Sequence, residues 1–270
     1  MTMINVKAFT ELYPQLETSL QRLGFLKTEA KQPRVVVFGK FKHGKSTLLN
    51  ALLGRELFVA SDVRQTVKNQ SHHDEQRQLV WVDTPGLDAD VLGEDDQKAY
   101  ESAMQTADII LLVHNLKTGE LDRYEADHFT KMLKSTAGFA KKTLLVLTQI
   151  DQVTDEQRDQ AFKIIQKQFP DLKSHLVSAV RYQKGVAANK PVFVERSGVP
   201  ELLKSIEQLK SGVLQARNDE AKLIRQSISA VLADNKAILA KQITDLEAKQ
   251  RKTKSAFEQE VAEYLKSVSV

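Results

Sequence analysis

The chain has 270 residues, 41% hydrophobic and 27% charged, with a formal net charge of +4 and no cysteine. Zero cysteine removes disulfide scaffolds, thiolate zinc sites, iron–sulfur clusters and cysteine nucleophiles. No apolar run approaches the roughly 18–20 residues of a membrane span, and no basic segment with an apolar stretch behind it opens the chain. A charge of +4 is too weak to argue for nucleic acid, so a cytoplasmic protein without a nucleic-acid partner is expected.

Residues 1–32 form a first, helical segment. Val6, Phe9, Leu12, Leu16, Leu20 and Leu23 recur at helical spacing. Pro14 inside this pattern predicts a kink or a helix start.

Residues 33–212 alternate short β-rich runs with helical patterns. The runs are 34–38, 79–82, 109–113, 143–147 and 175–177, each nearly continuous in apolar residues, as strands buried on both faces are. The alternation predicts an α/β domain built from βαβ units around a mainly parallel sheet. The short stretch from Thr66 to Asp83 has a polar centre and predicts a hairpin with one antiparallel edge strand.

Residues 213–270 carry neither Pro nor Gly, and an amphipathic stripe runs from Ile224 to Leu246 and resumes at Phe257. They predict one long helix, a neck of roughly 80 Å at 1.5 Å per residue, or two helices in a hairpin. With 10 Lys/Arg, 8 Asp/Glu and few aromatics, this segment does not resemble an RNA-binding appendage.

Chemistry concentrates after the first strand. Gly39-Lys40-Phe41-Lys42-His43-Gly44-Lys45-Ser46 fits G-x-x-x-x-G-K-[ST], and an apolar helix follows from Thr47. The glycines let the loop wrap so that its N–H groups converge on phosphate oxygens, and the helix N-terminus adds positive potential. Lys45 is expected to reach the β- and γ-phosphates and Ser46 to ligate Mg²⁺. Asp83-Thr84-Pro85-Gly86-Leu87 ends a later strand. Asp83 there is placed to hold Mg²⁺ through water, and Gly86 to offer its N–H to the γ-phosphate. A plain Pro-Gly turn is the bland alternative, and the position downstream of a phosphate loop outweighs it.

Thr148-Gln149-Ile150-Asp151 is similar to the guanine signature [NT]-K-x-D of Ras-like and translation-factor GTPases. A carboxylate at Asp151 would accept from N1–H and the 2-amino group of guanine, which adenine does not offer. Gln149 in place of the usual Lys is expected to weaken binding by roughly 0.5–1.5 kcal/mol. The competing role for Asp151 is a helix N-cap. Ser178-Ala179, after the last strand, matches the segment whose backbone N–H meets guanine O6. Thr66, 20 residues after Ser46, is the candidate switch threonine for Mg²⁺ and the γ-phosphate, against the reading of an ordinary loop residue. His72-His73 is read as a solvated hairpin tip rather than a metal site, because adjacent strand residues face opposite ways. Trp81 is read as core packing.

The run from Gly39 through Ser46 to Thr47-Leu48-Leu49-Asn50-Ala51-Leu52-Leu53-Gly54 resembles the phosphate loop of bacterial dynamin-like proteins and mitofusins, which read G-x-F-x-x-G-K-S-T-x-x-N-A-L-L/I-G. The resemblance covers about residues 34–180, and the labile-enterotoxin-output dynamins are one branch to which it extends. It implies GTP/GDP and Mg²⁺ as ligands and flanking helices that join one bundle. It also implies self-association through the GTPase domain or neck, and a membrane or a second dynamin as partner. Peripheral membrane attachment and membrane remodelling are implied by family alone, since no counterpart of a membrane-touching tip is visible.

Leu87 stands where Ras-like enzymes carry a water-orienting glutamine. Dynamins instead use phosphate-loop groups and a monovalent cation, ligated from the position that Lys42 occupies here. The Lys42 ammonium either stands in for that cation or is a solvated lysine. Slow intrinsic turnover is expected. A regulatory GTPase of the ribosome- or RNA-associated kind and a GTP-holding module are the competing readings.

Overall fold

The computed structural model describes residues 6–27, 32–58, 69–86, 101–135 and 138–268, with side chains from residue 9 onward. The first segment is α1 (Val6–Leu12), a 3-10 turn at Pro14–Leu16 and α2 (Glu17–Lys27). Pro14 opens that turn, where its missing N–H costs nothing.

Six strands follow: β1 (Arg34–Phe38), β2 (Gln70–Asp74), β3 (Leu79–Asp83), β4 (Ile109–Asn115), β5 (Thr143–Thr148) and β6 (Lys173–Leu176). They form one sheet in the order β2-β3-β1-β4-β5-β6. All neighbours are parallel except β2 and β3, the hairpin expected at this edge. The pair His72-His73 lies within β2 opposite Trp81 and Val80, and residues 75–78 make the tip. That corrects the reading of the two histidines as the tip itself.

Strand alternation divides the core. Val36, Phe38, Ile110 and Leu112 face one side, packed with Phe129 and Met132 of α4 (Arg123–Ser135) and Ile165 of α5 (Asp155–Gln168). Val35, Val37, Trp81, Leu111 and Val146 face the other side, packed with Leu48, Leu49 and Leu52 of α3 (Lys45–Leu53). Leu202 and Ile206 of α8 (Val199–Ser211) complete that layer. Trp81 is fully buried, and its indole N–H donates to Asp74 at 3.2 Å. Two short helices, α6 (Ala179–Ala187) and α7 (Pro191–Glu195), link β6 to α8.

Asn50, the asparagine of the dynamin-like pattern, is a structural organiser. Its amide donates to the Phe58 carbonyl at 2.8 Å and accepts from the Leu57 and Phe58 N–H groups at 2.9 and 2.8 Å. Replacing it with alanine strips three polar backbone groups of a buried partner. Asn50→Ala is expected to cost about 2–3 kcal/mol in urea unfolding, and a loss under about 0.5 kcal/mol would mean that water takes over these bonds.

The last helix, α9, is one piece from Val213 to Val268. Pairs at i,i+4, Glu247 with Arg251 at 3.7 Å and Lys254 with Glu258 at 3.9 Å, support the polar stretch that interrupts the stripe. Two compact units divide at its start, Met1–Ala221 and Lys222–Val270. In the second, Ile238, Leu239, Ile243, Leu246, Phe257, Tyr264, Leu265 and Val268 are exposed. Among the described residues no helix is long and apolar enough to cross a membrane.

In the first unit the helices flanking the sheet meet. Arg22 of α2 forms a bidentate pair with Glu220 of α9, at 2.9 and 2.7 Å. Lys142, ahead of β5, reaches the same carboxylate at 3.1 Å. Arg217 of α9 pairs with Asp108, ahead of β4, through two bonds of 2.8 and 2.7 Å. All five side chains are buried. The flanking segments therefore join on the charged pairs, as the dynamin resemblance implies of such flanks.

Candidate nucleotide site

The chain crosses from β1 to β3 on one side and to β4 on the other, so the carboxyl end of β1 is a switch point where α/β sheets hold ligands. The loop 39–46 lies there. Gly39 has no room for a side chain, since a Cβ would sit 2.2 Å from the Val113 carbonyl oxygen. Gly44 is left-handed at φ +82° and leads straight into α3.

Lys45 is buried, and its ammonium donates to the carbonyls of Gly39 and Lys40, both at 3.0 Å. Lys40 pairs with Asp122. Lys42 is exposed and left-handed at φ +62°, with its ammonium 5.7 Å from the Phe41 ring centre. Thr47 lies in the first turn of α3.

Ser46 donates its hydroxyl to Asp83 Oδ2 at 2.7 Å, bringing together the two Mg²⁺ residues expected from sequence. The second carboxylate oxygen, Oδ1, is buried and makes no hydrogen bond. A half-buried hydroxyl beside a buried carboxylate with one unused anionic oxygen fits a hard divalent cation. Burial pushes the Asp83 carboxyl above the usual carboxylate range, against the Ser46 bond and the Lys45 charge; a divalent ion beside it would reverse that balance. Gly86 presses on the loop, where a Cβ would fall 2.7 Å from the Phe41 nitrogen. Thr66 and Leu87 lie outside the described residues.

Thr148 links the signature to the phosphate loop. Its hydroxyl is buried and bonds the carbonyls of His43 at 2.7 Å and His114 at 3.2 Å, tying the phosphate loop to β4 and β5. Gln149 is left-handed at φ +58° and donates its amide to the Lys42 carbonyl at 3.2 Å. Asp151 is exposed in a 3-10 turn, Ile150–Gln152. It is not the helix cap: Thr154 caps α5, in a reciprocal pair with Gln157. The Ser178 hydroxyl caps α6 by accepting from the Arg181 N–H at 3.0 Å, and the Ser178 N–H donates to Ser197. Ala179 begins the helix.

One grouping was invisible from the linear order. His43 of the loop, His114 of β4 and Glu125 of α4 converge in the interior. The signal was a histidine inside the phosphate loop, which the motif leaves unspecified.

Residues 34–149 match the family profile described as "50S ribosome-binding GTPase". An uncharacterized protein of Acinetobacter baylyi is 36% identical over 87% of this chain and 57% of its own length. The GTPase Era of Thermosipho melanesiensis is 31% identical over 60% of this chain and 54% of its own. The chain thus spans little more than half the length of these curated relatives. Among solved structures, Era in complex with MgGDPNP and a 16S ribosomal RNA fragment has a TM-score of 0.54 at 23% identity, over 67% of this chain and 57% of that one. A member of an oligomerised bacterial dynamin pair has a TM-score of 0.54 at 15% identity, over 96% of this chain and 50% of that one. With a six-stranded, mostly parallel sheet and a phosphate loop at its switch point, the chain carries an α/β P-loop GTPase domain.

Proposed function

We propose that the chain binds GTP with Mg²⁺ at the loop 39–46, hydrolyses it slowly and couples its nucleotide state to self-association, as dynamin-like proteins do. The observation that carries this reading is the convergence of loop 39–46, Asp83 and Thr148–Asp151 at the carboxyl ends of neighbouring strands. The loop N–H groups and Lys45 bind the phosphates. Ser46 and Asp83, with Thr66, would hold the Mg²⁺, which when bound would supply positive charge beside the β- and γ-phosphates. Asp151 reads guanine N1–H and N2, and the Ala179 N–H reads O6. Gly86 offers its N–H to the γ-phosphate. Lys42 offsets charge as the bond from γ-phosphorus to the bridging oxygen breaks and water takes its place. A self-associating role is supported by the exposed apolar stripe of residues 238–268.

GTP is expected to bind at least about 100-fold more tightly than ATP, from the paired carboxylate at Asp151. GTP turnover per molecule is expected to rise with protein concentration, further so on anionic liposomes. Equal affinity for the two nucleotides sinks the guanine reading. A flat concentration profile with only monomer in sedimentation sinks the self-association. A strong preference for potassium over sodium excludes Lys42 as the resident cation.

The ribosome-associated reading is favoured by the matched family description and by the Era relatives. Stimulation of turnover by a 16S ribosomal RNA fragment at constant protein concentration would select it over self-association.

A further inference from the structure

His43, His114 and Glu125 come from three elements that the sequence separates: the phosphate loop, the end of β4 and the first turn of α4. Their exposures are 6%, 1% and 2%. The Glu125 carboxylate lies between the rings. Its Oε2 is 3.0 Å from His114 Nδ1, and its Oε1 is 3.2 Å from His43 Nδ1. The rings meet edge to face, with centres 5.2 Å apart.

These three groups need a positive charge among them. His114 Nε2 lies 2.9 Å from the Gly119 carbonyl oxygen, which can only accept, so the ring carries its proton there. In the neutral ring Nδ1 is then a bare lone pair, pointed at a carboxylate oxygen. Such a contact is held by a positive charge, either a proton on Nδ1 or a metal ion between the two atoms. On the other side, His43 Nδ1 and Glu125 Oε1 are both buried, and neither makes a hydrogen bond despite their proximity. The result is a buried carboxylate with two ring nitrogens converging on it.

The geometry points to a transition-metal site, a Zn²⁺ ion held by His43, His114 and Glu125, separate from the Mg²⁺ residues Ser46 and Asp83. Two imidazoles and a carboxylate suit zinc, whereas Mg²⁺ prefers oxygen alone. Zinc bonds of about 2.0–2.1 Å set tetrahedral ligand atoms about 3.3 Å apart. The two nitrogen–oxygen separations, 3.0 Å to Oε2 and 3.2 Å to Oε1, are close to that edge, and one ligand atom from each residue lies within 4.8 Å of the other two. The Gly119 carbonyl supplies the outer bond that fixes a liganding histidine's tautomer and leaves Nδ1 as the donor. An ion here would tie the phosphate loop to β4 and α4 from beneath, alongside the bond from Thr148 to the His43 carbonyl. The proposal is independent of which nucleotide the loop holds.

The test uses the full chain, stripped with chelator, reloaded with Zn²⁺ in excess Mg²⁺ and desalted. One Zn²⁺ per chain is expected by atomic emission, and Co²⁺ in its place should give the intense visible bands of a four-coordinate N/O site. His114→Gln and Glu125→Gln should each weaken Zn²⁺ binding about 100-fold or more, exceeding the loss from an outer-shell change. Asp83→Asn should leave the stoichiometry at one. Substoichiometric zinc in the wild-type chain overturns the site and leaves a His–Glu–His cluster sharing a proton. Full occupancy in both variants also overturns it, because other histidines would then hold the ion. Stoichiometry and the Co²⁺ bands are read on the wild-type chain, so they decide even if a variant fails to fold. No readout involves nucleotide turnover, so failure here is distinct from failure of the GTPase reading.

Discussion

Replacing Glu220 with alanine is expected to destabilise the first compact unit by about 3–5 kcal/mol, the cost of leaving buried charges without their partner. Glu220 sits between two cations, Arg22 at 2.7 Å and Lys142 at 3.1 Å, and each is at most about a tenth exposed. Burial raises the Glu220 carboxyl, but Arg22 and Lys142 outweigh it and hold it below its usual range. In the variant both cations stay buried while the compensating charge is gone. Lys142 also gives the effect a pH signature. Burial and the neighbouring Arg22, partly offset by Glu220, lower its ammonium to about 8. The unfolded chain therefore binds more protons than the folded one above that pH, and stability gains from Lys142 as pH rises toward its ordinary value. Without Glu220 the lowering deepens, so the deficit of the variant should shrink on going from pH 7 to 9. Urea unfolding at the two pH values measures this. A loss under about 1 kcal/mol would mean that the cations find water instead, and the joining of α2 with α9 would then rest on packing alone.

Lys45→Ala is expected to lower GTP affinity by at least about 100-fold, or about 3 kcal/mol, the scale of charge-assisted bonds to phosphate. Lys45 is buried at the rim of the loop with its ammonium on the Gly39 and Lys40 carbonyls, so it is already oriented toward the space that the loop encloses. The variant also frees those two carbonyls, so some loss of stability should accompany the loss of affinity. Titration with a fluorescent GTP analogue reads the affinity, and circular dichroism at the same temperature separates it from unfolding. GTP affinity within a few-fold of the wild type in a folded variant would refute the phosphate-loop assignment.

Much of the fold was legible in the linear pattern because its strands are buried on both faces. Runs such as Val35–Phe38 and Ile109–Val113 are continuous in apolar residues for that reason, and four of the six strands follow from them; β6, with the sequence KSHL, only overlaps the predicted run 175–177. β2, with the sequence QSHHD, carries no such run, and the hairpin geometry placed it instead. The phosphate loop was legible because its chemistry is local: glycines, lysine and serine act through a backbone they themselves shape. Thr148 is legible by position in the signature, but what its hydroxyl meets, the carbonyls of His43 and His114, is far away in sequence.

The amino-acid order by itself determined the α/β sheet, the phosphate loop at the end of its first strand and the helical segments flanking it. These depend on periodicity and on residues within one turn of each other. Tertiary structure alone decided that α9 is one helix, that Asp151 leaves the capping of α5 to Thr154, and that Arg22, Lys142 and Glu220 share one buried cluster. It alone brought His43, His114 and Glu125 together. The physical reason is the same for both buried clusters. A charged or polar side chain is costly to bury without a partner, so its place is fixed by where the folded chain delivers that partner, 198 residues away for Arg22 and Glu220.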